Sequence, residues 1–143
     1  MGTIEKTVRF DAAPEKVWGV VSDPARFGEW LGMHKSWKGD PPAEFAKGTQ
    51  ATAVVSLLNM PNTITWTVAE YDPNSSVTLT GTGMAGVKVS ITLGVAPSGS
   101  GSDMTILAAF EGQMLVGAIG AAVEKAGRTE LDESTGRLAD LIS

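Results

Sequence analysis

From Gly48 to Phe110 the chain places apolar residues at every second position, and this limits it to a sheet with one wet face and one buried face. Ala51, Ala53, Val55 and Leu57 share a face. Ile64, Trp66 and Val68 oppose Thr63, Thr65 and Thr67; Val77 and Leu79 oppose Ser76, Thr78 and Thr80. Val87, Val89, Ile91, Leu93 and Val95 oppose Lys88, Ser90 and Thr92, and Met104, Ile106, Ala108 and Phe110 complete the last apolar face. Turn signals at Met60-Pro61-Asn62, Asp72-Pro73-Asn74, Gly81 to Gly86 and Pro97 to Gly101 divide the run into antiparallel strands.

The flanks have other periods. Residues Thr3 to Phe10 alternate with Ile4, Val8 and Phe10 on one face, broken by Lys6, and read as a first strand. Asp11 followed by Pro14, with apolar residues at helical spacing through Val21, predicts a short helix, and Asp23-Pro24 with Phe27, Trp30 and Leu31 predicts a second. In the strand run, alternation puts Tyr71 on the threonine face opposite Trp66. After Gln113 the helical period returns, and Val116, Ile119, Val123, Leu131, Leu138 and Ile142 fall near one stripe. A helix over residues 115–142 would span roughly 40 Å, enough to cross the sheet. The small residues of its first half, Val116 to Ala122, include glycines that weaken a helix, so either close contact with strands or open space beside the helix has to favour them. Order and length together give one α+β domain over residues 1–143.

Composition removes whole classes of chemistry. A net charge of −5 leaves no basic surface for nucleic acid, since Lys35, Lys38 and Lys47 are interrupted by Asp40 and Glu44. With no cysteine there is no disulfide, thiolate zinc site or cysteine nucleophile. The start MGTIEKTVRF alternates where a signal peptide needs a continuous apolar run, and the apolar stretch from Met114 to Val123 is too short for a bilayer span. A cytoplasmic protein without a membrane span is expected, with neither a metal nor a cofactor.

Two motifs invite a functional reading. Gly81-Thr82-Gly83-Met84-Ala85-Gly86 is a literal G-x-G-x-x-G, but a strand follows it where a dinucleotide site needs a helix. The glycines instead permit positive φ in a loop between strands. WLGMHKSW, residues 30–37, holds the sole histidine and two of four tryptophans. His34 has no second histidine at ligand spacing, and no G-x-S-x-G elbow supports a serine triad. It is either a hydrogen-bonded structural histidine or a polar group at a cavity mouth, flanked by Trp30 and Trp37. Arg26, four residues before Trp30, shares its helix face; a surface pair with Glu29 or Asp23 is the plainer account of it.

Element order, together with Glu29-Trp30-Leu31, His34-Lys35, Trp37, Lys47-Gly48-Thr49, Met60-Pro61-Asn62, Ile64, Trp66, Gly81, Gly83 and Gly86-Val87-Lys88-Val89, resembles the START-like, or SRPBCC, superfamily over essentially the whole chain. That superfamily includes polyketide cyclases and dehydrases and lipid carriers. More closely, these motifs are similar to an actinobacterial branch classed as toxins of type II toxin–antitoxin pairs. The resemblance implies a helix-grip (Bet v 1-like) fold, a curved antiparallel sheet around a long C-terminal helix, with a cavity between them. It implies a small hydrophobic, lipid- or polyketide-like ligand, walled by Trp66, Val68, Val89, Ile91, Ile106, Phe110, Val116 and Ile119, with Trp30, His34, Trp37 and Asn62 nearby. The toxin branch implies a small antitoxin partner, and the cyclase branch would make His34 and Arg26 the catalytic candidates. No established catalytic set transfers, and the sequence leaves enzymatic activity and oligomeric state open.

Overall fold

The computed structural model describes residues 2–39, 44–57, 60–83, 86–112 and 117–142. Strand β1 (Gly2–Phe10) is followed by helix α1 (Pro14–Val21), a 3-10 turn (Pro24–Arg26) and helix α2 (Phe27–Trp30). Strands β2 (His34–Trp37), β3 (Gln50–Leu57), β4 (Met60–Asp72), β5 (Ser76–Thr82), β6 (Lys88–Ser98) and β7 (Gly101–Glu111) come next, and helix α3 (Gly117–Ile142) closes the chain. All strand pairs are antiparallel, in the order β1-β7-β6-β5-β4-β3-β2. The first two strands in sequence therefore stand at opposite edges of a curled half-barrel, and the short helices bridge them.

The expected alternation sets the core. Ile64, Trp66, Val68, Val77, Leu79, Ile91, Leu93, Met104 and Ile106 are buried on the concave side, and α3 brings Val123, Leu131, Leu138 and Ile142 onto that core. Pro14 starts α1 in its first turn, and the Asp23 side chain accepts a hydrogen bond from the Ala25 amide at 3.0 Å to start the next turn. Lys6, the residue that breaks the first strand's apolar face, reaches across to Asp132 of α3 at 2.6 Å. Further along α3, Gly127 packs directly on the first strand: a Cβ there would lie 2.3 Å from Cδ1 of Ile4.

Residues 34–37 of WLGMHKSW form edge strand β2, paired to β3 with a bulge between His34 and Ser36 that disrupts its alternation, so no period marks this strand. Two expectations are corrected. Met60-Pro61-Asn62 is the start of β4 instead of a turn. Pro61 is tolerated there because β5 does not pair with β4 until Thr65, so this end of β4 is an edge. Tyr71 leaves the threonine face: a register shift between Val68 and Glu70 reverses the alternation, and Tyr71 packs half-buried against the core with its ring 6.1 Å from that of Trp18.

Candidate functional site

The concave face is not evenly covered. The row Tyr71, Val77, Leu93, Ile106 runs across four strands, and its three aliphatic members are fully buried. The row Val68, Leu79, Ile91 beside it is buried as well. At the end of the sheet where β7 leads to α3 the cover is uneven: Ile64, Trp66 and Phe110 stay buried, but some of their inward neighbours do not. Val55, Asn62 and Val89 are only half-buried. Register places Trp66, Gly81, Val89 and Phe110 in one row, and His34, Val55 and Asn62 in another at the same end. The amide of Asn62 lies beside Gly83, where a Cβ would come within 3.2 Å of it.

The structure thus gathers Trp66, Val68, Val89, Ile91, Ile106 and Phe110 on one curved wall, with His34 and Asn62 on its rim. Val116 and the side chain of Ile119 lie outside the described residues, as do Met84 and Ala85 of the glycine motif. Of that motif's described glycines only Gly86, at φ 75°, has the left-handed backbone expected; Gly81 and Gly83 do not, and Gly81 lies within β5, where a Cβ would come 2.7 Å from Cγ1 of Ile64.

WLGMHKSW forms a second structure within the site. Phe27 of α2 is its hub: Trp30 stands edge-on at 6.1 Å between ring centroids, His34 edge-on at 5.9 Å, Trp37 stacked at 5.8 Å and Phe45 tilted at 5.4 Å. Trp37 also lies 4.7 Å from His34. Such aromatic contacts each contribute about 0.5–1.5 kcal/mol beyond area burial. Trp37 is anchored by its indole N–H donating to the Pro24 carbonyl at 2.9 Å. Phe45 was missed by sequence reasoning, since it sits alone among small and polar residues with no periodic partner.

Two polar atoms in this cluster stand out. Among the described residues, the buried side-chain atoms lacking a hydrogen-bond partner are Nε1 of Trp30 and Nδ1 of His34. Trp30 is 0% and His34 6% exposed. Burial pushes the His34 imidazole below its ordinary 6.5, toward the neutral form. The hydrogen-bonded structural histidine considered above therefore lacks its bond at Nδ1. Arg26 is apart from this chemistry, paired with Glu29 at 3.3 Å on the outside of α2.

The corner is fastened to α3 by backbone. Arg137 Nε donates to the Trp30 carbonyl at 3.1 Å, and the Gly32 amide donates to Ser134 Oγ at 3.0 Å. A cavity of about 470 Å³ is lined mainly by Thr65, Thr67, Thr80, Thr82, Lys88 and Glu111, whose side chains alternate with the inward ones, and is bordered also by Gly81, Val89 and Phe110 of the inward rows. Among the described residues no cluster of His, Asp or Glu could hold a metal ion, and no helix is long and apolar enough to cross a membrane.

The comparisons with known proteins agree with this geometry. The sequence model of the family described as polyketide cyclase / dehydrase and lipid transport matches residues 1–143. The Mycobacterium tuberculosis (strain H37Rv) protein named Toxin Rv0910 is 37% identical over 134 residues, which cover 94% of this chain and 93% of the relative. The protein Rv1546 of the same strain is 31% identical over 141 residues, 99% of each chain. Among solved structures, a START superfamily protein from Mycobacterium smegmatis superposes with a TM-score of 0.78 at 18% identity, covering 98% of this chain and 96% of that one. At that identity the likeness is one of fold.

Proposed function

Because the chain belongs to the polyketide cyclase / dehydrase and lipid transport family, we propose that it binds a small hydrophobic molecule on the concave face of its sheet, beneath the start of α3. The observation that carries this reading is the fall in burial along that face. Val77, Leu93 and Ile106 are sealed, while Val55, Asn62 and Val89 face the same side and keep solvent contact at the end next to α3. An apolar wall with a few polar groups at its rim suits an apolar guest with one orienting group. The reading extends to lipid- and polyketide-like molecules as a class.

Two tryptophan substitutions on neighbouring strands test which face takes the guest. Val89→Trp fills the concave side and Thr80→Trp fills the outer groove, each variant being checked for a dispersed amide spectrum. With 2-methoxynaphthalene as probe, binding is expected in the wild type and in Thr80→Trp and is expected to be lost in Val89→Trp. Loss only in Thr80→Trp moves the site to the outer face and overturns the reading; so does absence of binding by the wild type.

A second reading rests on the likeness to a protein named a toxin at 37% identity over nearly the full length. On it, the chain arrests growth and a small antitoxin protein relieves the arrest. Expression in the source organism, alone and together with any small reading frame adjacent to its gene, is expected to slow growth only in the first case. Unchanged growth in both removes this reading.

A further inference from the structure

Among the described residues, three pairs of threonines that oppose one another across neighbouring strands bond hydroxyl to hydroxyl: Thr7 with Thr105 at 3.2 Å, Thr52 with Thr65 at 3.1 Å and Thr78 with Thr92 at 3.1 Å. Around the cavity of about 470 Å³ the pattern stops. Register sets Thr65 against Thr82, Thr67 against Thr80 and Thr80 against Ser90, and none of these pairs is bonded. Thr65 turns to Thr52 and Thr67 takes the Gln50 amide at 3.3 Å, which leaves the hydroxyls of Thr80, Thr82 and Ser90 without a protein partner. Pairing class is not the cause: Thr80 and Ser90 lie two residues along from Thr78 and Thr92 on the same two strands, and opposed pairs two residues apart are of one class. Lys88 and Glu111 repeat the pattern with charges. They are directly opposed across β6 and β7, both line the cavity, and neither belongs to an ion pair.

We propose that this hollow is a second binding site, beyond the one for the apolar guest, and that it takes a neutral polyhydroxylated molecule, a sugar or a polyol. Its volume lies within the range of small-molecule sites, about 300–1,000 Å³. An ammonium only donates, an ionised carboxylate only accepts, and a hydroxyl does both. Neighbouring hydroxyls of one guest can therefore accept from Lys88, donate to Glu111 and exchange hydrogen bonds with Thr80, Thr82 and Ser90. An anion would meet Lys88 but lie beside Glu111, with no second cation in the lining; a cation meets the reverse arrangement. A zwitterion would satisfy the two charges and leave the three hydroxyls unused. Thr80, Thr82, Lys88 and Glu111 are exposed, so the guest keeps water on its outer side, which suits a molecule that is polar all round.

The test uses the full chain with labelled threonine methyl groups and titrates it separately with maltose, glucose, sorbitol, inorganic phosphate and glycine. At least one of the three polyols is expected to shift the Thr80 and Thr82 signals, while phosphate and glycine leave them still. Thr80→Val keeps the shape and removes the hydroxyl, and is expected to weaken the polyol that binds roughly threefold to tenfold, the effect of one neutral hydrogen bond. Thr92→Val, whose hydroxyl is already bonded to Thr78, is expected to leave that affinity unchanged. Should Thr80→Val lose its folded spectrum, Ser90→Ala is read in its place, with the same expected loss. Saturation with 2-methoxynaphthalene is expected not to alter polyol affinity. Still signals with all three polyols, or wild-type affinity in the hydroxyl-deleted variant, overturn the proposal. So does a shift with phosphate or glycine alone, which assigns the hollow to an anion or a zwitterion. Competition between a polyol and 2-methoxynaphthalene overturns the second site and leaves the hydrophobic-guest reading standing.

Discussion

Gly127 of α3 and Ile4 of β1 approach so closely that a methyl group on the glycine would lie 2.3 Å from the isoleucine Cδ1. Alanine should favour the helix by about 1 kcal/mol, yet the overlap with a buried side chain should cost about 1–3 kcal/mol. Gly127→Ala is expected to destabilise the protein in urea unfolding, and Ile4→Val, which removes Cδ1, is expected to make the same substitution less costly. A double-mutant cycle reads that coupling; strict additivity of the two changes would show that the contact is not close.

Arg137 holds the corner through a carbonyl more than through its ion pair. Its pairing with Glu130 at 3.3 Å is partly exposed, with side chains 42% and 28% accessible, so that pair contributes little. The bond from Nε to the Trp30 carbonyl is half-buried. Arg137→Ala is expected to lower stability by about 1–3 kcal/mol, and Glu130→Gln by less than about 1 kcal/mol. Denaturant midpoints at low and high salt check this, because loss of a backbone bond should leave the Arg137→Ala deficit nearly independent of salt.

His34 should make stability depend on pH in one direction. Burial lowers its folded pKa below the ordinary 6.5, so the unfolded chain binds the proton more tightly. Stability from this group is therefore full above about pH 6.5 and falls as the pH drops through that value toward the folded pKa. His34→Gln is expected to flatten the slope of unfolding free energy between about pH 7 and pH 5.5. An unchanged slope would place the imidazole in solvent.

Arg26 gives the contrasting case. Its pair with Glu29 has side chains 35% and 48% exposed, and Arg26→Ala is expected to change stability by less than about 1 kcal/mol. A larger loss in thermal unfolding would mean that the residue supports the corner in a way its contacts do not indicate.

Much of this fold is written as periodicity. The strands from β3 to β7 announce themselves because one face of each is wet, and α3 because Val123, Leu131, Leu138 and Ile142 recur at helical spacing. What periodicity hides is whatever interrupts it. The bulge between His34 and Ser36 concealed β2, and the register shift after Val68 turned Tyr71 inward against expectation. Phe45 joins the aromatic cluster from a stretch with no repeating pattern, so only tertiary packing reveals it. Of the site, the apolar wall followed from alternation, whereas the unpartnered atoms of Trp30 and His34 depend on how four rings settle around Phe27, which no linear spacing encodes.

Since β1 and β2 occupy the two margins of the sheet, no ladder of amide bonds joins them, and the distance across that seam is set by the packing of α1, α2 and α3, with α3 tied to β1 by Lys6 and Asp132 and to the corner after α2 by Arg137 and Ser134. The girth of the half-barrel can therefore adjust by sliding packed surfaces, without breaking a single strand pairing. A fold closed in this way accepts changes in the volume it encloses through the few residues at its buckle, and selection can resize it there while the remaining frame stays as it is.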